Sequence, residues 1–242
     1  MLTERYYAAL QSLIAEIAAD QEPIRQAARL CAGALAQGNV VHIFDSGHMV
    51  SRELVRRAGG LVALSSLSFS LDVVNPVRTR QEVGQPAEAP YAYIKHIFES
   101  SHLRAGDVLI VGSVSGKTAN VVELALQARA YGLQVIALTS LAYSSRLASE
   151  HPSGRRLYEA ADLALDNHAP YGDAMLEVEG VDAPICAASG IGASAVLWGV
   201  VAGIVEEMLG MGLSPTVYPS VNLPDGRERV AMVEARASEK GF

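Results

Sequence analysis

Three hydroxyls, a glycine and a lysine fall within six residues of this chain, Ser113-Val114-Ser115-Gly116-Lys117-Thr118. Ser113, Ser115 and Thr118 can each donate to a phosphate oxygen, Gly116 lets the backbone approach a ligand closely, and Lys117 can add positive charge. The chemistry on offer is anion binding. Val108 to Val111, just upstream, is an apolar run of strand length. Downstream, Val121, Leu124, Ala125 and Ala128 recur at helical spacing while Asn120, Glu123 and Gln127 fall on another face. A helix that begins at such a loop points its unpaired N–H groups and the positive end of its dipole at whatever sits above the strand's carboxyl end. The spacing excludes two alternatives. A P-loop needs glycine five residues before Gly116, where Val111 stands, and a dinucleotide fingerprint begun at Gly112 needs glycine where Val114 stands.

A second turn of interest follows the apolar run Val40 to Phe44. It reads Asp45-Ser46-Gly47-His48 and leads into a helix expected from about Met49 to Ala58, which carries Glu53. Glu53 can act as a base or pair with Arg56 or Arg57 at i+3 or i+4 on an exposed face. His48 can act on a ligand or hold a backbone carbonyl. His168, in Asp166-Asn167-His168-Ala169-Pro170, suits either an acid or a loop cap. Glu177, Glu179 and Asp182 lack a histidine or cysteine at ligand spacing, so they are expected to be a solvated acidic loop. No metal and no cofactor is expected.

The elements that must position these groups follow an alternating pattern. Two amphipathic helices are expected first, Thr3 to Ala18 and Glu22 to Gln37, the second closed by Gly38. Strands are expected at Val40 to Phe44, Leu61 to Leu64, Val108 to Val111, Val135 to Leu138 and Ala161 to Leu165, with helices at Tyr91 to Leu103 and Ile191 to Met208. Strands alternating with helices imply a parallel sheet with ligands at its carboxyl edge. The irregular stretch Ser65 to Ala89 is too long for an idle connection and should border the site. The tail, with Pro215, Pro219, Pro224 and Gly226, is expected to wander over the surface.

At 242 residues the chain can bury the core of one α/β domain. Its net charge of −7 argues against a nucleic-acid partner. Two cysteines, Cys31 and Cys186, suggest no disulfide framework, and with no signal-peptide pattern at Met1 to Asp20 the expectation is a cytoplasmic protein. Ala183 to Val205 is uncharged and long enough for a membrane span. Pro184 and its many small residues point instead to a helix buried against other helices, in a subunit interface, with no membrane partner.

The string Ser113 to Thr118 resembles the S-x-S-G-x-T signature of sugar isomerase (SIS) domains. VVHIFDSGHMVSRELVRRAGGL resembles the other phosphosugar-facing turn of that fold, and residues 151 to 174 look like a bacterial branch related to phosphoheptose isomerases. The resemblance implies a three-layer αβα sandwich with a five-stranded parallel flavodoxin-like sheet, with N-terminal helices 1–38, an SIS domain 39–212 and a tail 213–242. It implies phosphate on Ser113, Ser115, Gly116, Lys117 and Thr118, and a sugar closed in by Ser46, Gly47 and His48. Glu53 matches the family's glutamate, whereas the helix that carries the family's partner histidine has Ser194 in an apolar run. The implied activity is aldose–ketose isomerisation of a phosphorylated sugar or amino-sugar through an enediol, by a homodimer or homotetramer. A regulatory phosphosugar-binding protein without chemistry, and a sugar-phosphate lyase or etherase, are the alternatives left open.

Overall fold

The structure, a computed structural model, describes residues 1–47, 50–70 and 91–239, with Ser51 and Arg52 in their backbone alone. Helices α1 (Leu2–Ala19) and α2 (Gln21–Ala36) come first, then β1 (Val41–Asp45), α3 (Ser51–Leu54) and β2 (Leu64–Ser66). A 3-10 turn at Ala92–Ile94 leads into α4 (Lys95–Ser100), β3 (Val108–Gly112), α5 (Ala119–Tyr131), β4 (Gln134–Thr139), α6 (Leu141–Ser144), α7 (Leu157–Ala160) and β5 (Leu163–Asp166). A hairpin of β6 (Ala174–Leu176) and β7 (Ile185–Ala187) precedes α8 (Ser189–Gly210) and α9 (Gly226–Glu239).

The five long-range strands form one parallel sheet in the order β2-β1-β3-β4-β5, the flavodoxin-like order expected. Alternation along each strand explains why these runs are apolar throughout. Val41, Ile43, Val108, Ile110, Ile136 and Leu138 face a core shared with α1, α2 and α8, and their neighbours Phe44, Leu109, Val111, Val135 and Ala137 face a second core under α4, α5 and α7. Both faces are covered, which makes the domain three-layered.

The uncharged segment splits in two. Its start forms β7, and the rest forms α8, the one described helix long and apolar enough to cross a membrane. It packs on α2 instead. A methyl added at Gly203 would lie 2.7 Å from the Ala28 Cβ, so the two helices touch through small residues. Cys31 is fully buried at this contact, and burial pushes its thiol up to about 12.

Three expectations are corrected. The second strand starts at Leu64, not Leu61, because the backbone of 59–62 pairs with the tail: Gly59 N donates to Tyr218 O, Tyr218 N to Gly60 O and Val62 N to Thr216 O, each at 2.9 Å. The tail itself is ordered, with α9 tied to the body by Arg56 and Glu234 at 3.2 Å. The helix of the first turn is four residues long, since Arg56 adopts the left-handed conformation (φ 56°) that ends it.

Candidate functional site

Strand β3 lies at the centre of the sheet and ends in the loop 113–118, with Ser113 N donating to Leu138 O and Ser140 N to Val114 O. The neighbouring turn is tied to it, since Ser46 N donates to Gly112 O at 3.0 Å. Between β1 and β3 the chain order of the sheet reverses, so the connections leave in opposite directions and a crevice opens at the carboxyl edge. A cavity of about 450 Å³ occupies it, walled by Ser46, Ser113, Ser115 and Thr118, and closed by Tyr143 and Asp173. Among the described residues, none of those four hydroxyls is engaged in a hydrogen bond to protein. Thr118 sits at the N-cap of α5 without capping it through its side chain. The cavity therefore combines free donors with the positive end of a 13-residue helix.

Gly116 and Lys117 take other places. Gly116 is left-handed (φ 56°), and a methyl there would press on Leu157, Ser144 and Thr139 at 3.1 to 3.2 Å, so its smallness serves the packing behind the loop. Its carbonyl accepts from Leu157 N at 2.8 Å. Lys117 Nζ lies 2.7 Å from Glu150 Oε1, which raises the lysine pKa, and the side chain does not line the cavity. Among the described residues, the positive potential in this cavity is thus dipolar.

A second, wider cavity of about 680 Å³ adjoins the first, with Ser46 and Asn120 on both. Gly47, Ser66, Ser68, Phe69 and Tyr93 border it. Asp45 shapes its floor by accepting from Gly47 N at 3.1 Å and Val50 N at 2.8 Å. Glu53 borders neither cavity; its Oε1 pairs with Arg57 at 3.0 Å, the exposed i,i+4 pairing that its spacing allowed. His48 lies outside the described residues, as does most of the stretch from Ser65 to Ala89. His168 is left-handed (φ 55°) and its ring sits among Asp20, Glu16 and Asp166 at 3.5 to 3.9 Å, on the N-terminal helices rather than in the cleft. Glu177, Glu179 and Asp182 are exposed around the β6–β7 hairpin.

A larger share of apolar wall distinguishes a cavity of about 410 Å³ at the opposite edge of the sheet, between α2, α8 and the tail. It carries two hydroxyl residues, Ser214 and Thr216, and no helix N-terminus among the described residues, so the carboxyl-edge cleft is the better candidate for an anion.

A profile of the SIS domain matches residues 5–140, more than half of the chain. The chain belongs to the SIS-domain family. It is similar to the UPF0309 protein of Streptomyces avermitilis, 35% identical over 211 residues that cover 86% of this chain and 84% of the relative. It is 36% identical over 212 residues to a UPF0309 protein of Caldanaerobacter subterraneus, covering 86% and 85%. Among solved structures, the Vibrio vulnificus NanR protein complexed with ManNAc-6P superposes with a TM-score of 0.52 at 13% identity, covering 99% of this chain and 69% of that one. A phosphoheptose isomerase from Neisseria gonorrhoeae gives 0.48 at 20% identity, with 87% and 100% covered. At such identities the likeness to NanR is one of fold.

Within this SIS fold, sequence reasoning missed Asn120, Tyr143 and Asp173. Asn120 was assigned to a polar helix face. Tyr143 and Asp173 follow β4 and β5, and only the strand order shows that their loops return to the same edge.

Proposed function

We propose that this SIS-domain protein binds a phosphorylated sugar or amino-sugar, its phosphate on Ser113, Ser115 and Thr118 at the start of α5 and its carbon chain crossing the same cavity past Ser46 toward Tyr143 and Asp173. One observation carries the reading: four hydroxyls without partners among the described residues line a single cavity at a helix N-terminus. The NanR structure, complexed with ManNAc-6P on the same fold, supports the ligand class. Calorimetry with a panel of hexose and amino-sugar phosphates tests it; absence of binding by all of them would overturn the reading.

The finer reading is an aldose–ketose isomerase in which Glu53 moves a proton between C1 and C2 through an enediol. A catalysed isomerisation of this kind exchanges the hydrogen on that carbon with solvent. Incubation of the tightest-binding sugar phosphate in heavy water, followed by mass spectrometry, decides between chemistry and binding alone. The Glu53–Arg57 pair, set apart from both cavities, favours the second reading, a phosphosugar-binding regulatory protein without chemistry.

The same proposal places the protein in the cytoplasm, in keeping with two free thiols, as a homodimer or homotetramer that covers exposed apolar residues on α1 and α8 such as Ile14, Ile191 and Leu209. Light scattering tests the assembly, and a monomer at micromolar concentration would refute it.

A further inference from the structure

The wall facing the phosphate loop contains one ionised side chain among the described residues, Asp173. Its placement is built rather than incidental. The residue adopts the left-handed backbone conformation (φ 71°), and its carboxylate is held at the start of α8 by three donors: Ser189 N and Ser189 Oγ at 2.8 and 2.9 Å, and Ala188 N at 3.2 Å. The N-terminus of the 22-residue helix α8 is thereby filled by the protein's own anion. Across the cavity, the N-terminus of α5 lacks a side-chain cap from Thr118 and has free hydroxyls around it. One helix end is closed to anions and the other is open to them. No lysine or arginine lines the phosphate cavity among the described residues, Lys117 being turned to Glu150, so among these residues only the three donors and the dipole of α8 offset the charge of Asp173.

We infer that Asp173 is the specificity-determining residue of this site: it fixes the orientation of a ligand with one phosphate, accepts a hydrogen bond from a hydroxyl or ammonium group at the end opposite the phosphate, and rejects ligands with a second anionic group there. The inference rests on the phosphosugar reading above and adds to it a charge rule. Neutral and amino-sugar monophosphates fit. Phosphorylated sugar acids and sugar bisphosphates place a negative group against a carboxylate that three fixed donors keep in position, a repulsion that solvent in the open cleft moderates without abolishing.

Two matched pairs of probes read this directly by calorimetry. Sorbitol 6-phosphate and 6-phosphogluconate are open chains that differ only in a hydroxymethyl or a carboxylate at C1. Glucosamine 6-phosphate and glucose 6-phosphate differ in an ammonium or a hydroxyl at C2. The wild type is expected to prefer the first member of each pair, sorbitol 6-phosphate by on the order of tenfold. Asp173→Asn keeps an oxygen for Ser189 N, suits the left-handed backbone and removes the charge; it should bring both ratios close to one while its melting temperature stays near that of the wild type. If the wild type binds none of the four, the phosphosugar reading falls and this inference with it. If it binds them without discriminating in either pair, or if Asp173→Asn retains the wild-type ratios, the charge rule alone is overturned. The wild-type ratios need no variant, so a poorly folding Asp173→Asn leaves that arm decisive.

Discussion

The turns after β1 and β3 start at the same height on adjacent parallel strands and border one cleft, yet they are built differently. The loop after β3 opens into a 13-residue helix, is packed from behind by Leu157 and Ser144 through Gly116, and leaves its hydroxyls without partners among the described residues. The turn after β1 gives four residues of helix, stops at a left-handed Arg56 and places its glutamate in an ion pair with Arg57. Phosphate binding can rest on a rigid helix start because dipoles and hydroxyls act together at a fixed point. Proton transfer needs one side chain within reach of one hydrogen, and the shorter turn is where that requirement is met or missed.

The largest effect that would test this contrast is on binding. Ser115→Ala with Thr118→Val removes two hydroxyls that line the cavity; at about 1.5 to 3 kcal/mol for each hydrogen bond to a charged group, sugar-phosphate affinity should fall by roughly two to four orders of magnitude with the fold intact. Unchanged affinity in calorimetry would move the site elsewhere. Next come the glycines. Gly116→Ala combines a left-handed backbone with contacts at 3.1 to 3.2 Å and should destabilise by about 1 to 3 kcal/mol, whereas Gly47→Ala meets nothing within 4 Å among the described residues and should stay within about 0.5 kcal/mol. Denaturant midpoints compare the two. Equal costs would mean that the loops are equally constrained.

Glu53→Gln should leave binding within about twofold, since Glu53 borders neither cavity, and should stop solvent exchange if the carboxylate is the base. Arg57→Ala, which frees Glu53 from an exposed pair, should change stability by less than about 0.5 kcal/mol and exchange by more. Exchange that persists in Glu53→Gln would take the chemistry out of the first turn. The smallest effect lies at the root of β1, where His42 is buried with its Nε2 3.1 Å from Asp107. Burial lowers its pKa from 6.5 against the opposing pull of Asp107. The unfolded chain takes up the proton first, so this contribution to stability is full above pH 6.5 and is lost as pH falls from there toward the folded value. His42→Gln should flatten the unfolding free energy over that range without touching ligand affinity; an unchanged slope would assign the pH dependence to other groups.

The contrast also explains what the sequence made legible. Continuous apolar runs and a hydroxyl-rich loop before a periodic helix point to β3, β4 and α5 because the information is local. The first turn was harder: the apolar run Leu61 to Leu64 looks like a strand, but its first residues take partners from Thr216 to Tyr218, some 155 positions away, and no short-range pattern encodes that. Lys117 beside the phosphate loop reads as a ligand for anions until Glu150, far along the chain, turns out to hold it. Asp173 lies within the run 151–174 that carries the resemblance, yet no role could be read for it there, because its placement arises from two helix ends meeting across a cavity.

The pairing of the tail with residues 59–62 has a consequence for how the protein can be handled. The edge strand β2 is only three residues long, and the backbone just ahead of it is masked by Val217, while Leu213, Pro215 and Ala237 roof the apolar hollow at the opposite edge from the ligand. A chain cut after residue 212 would uncover unsatisfied strand backbone beside a greasy depression, the combination that templates edge-to-edge association. Such a truncation should yield a protein that precipitates on concentration, and a fusion partner is better attached ahead of α1 than behind α9.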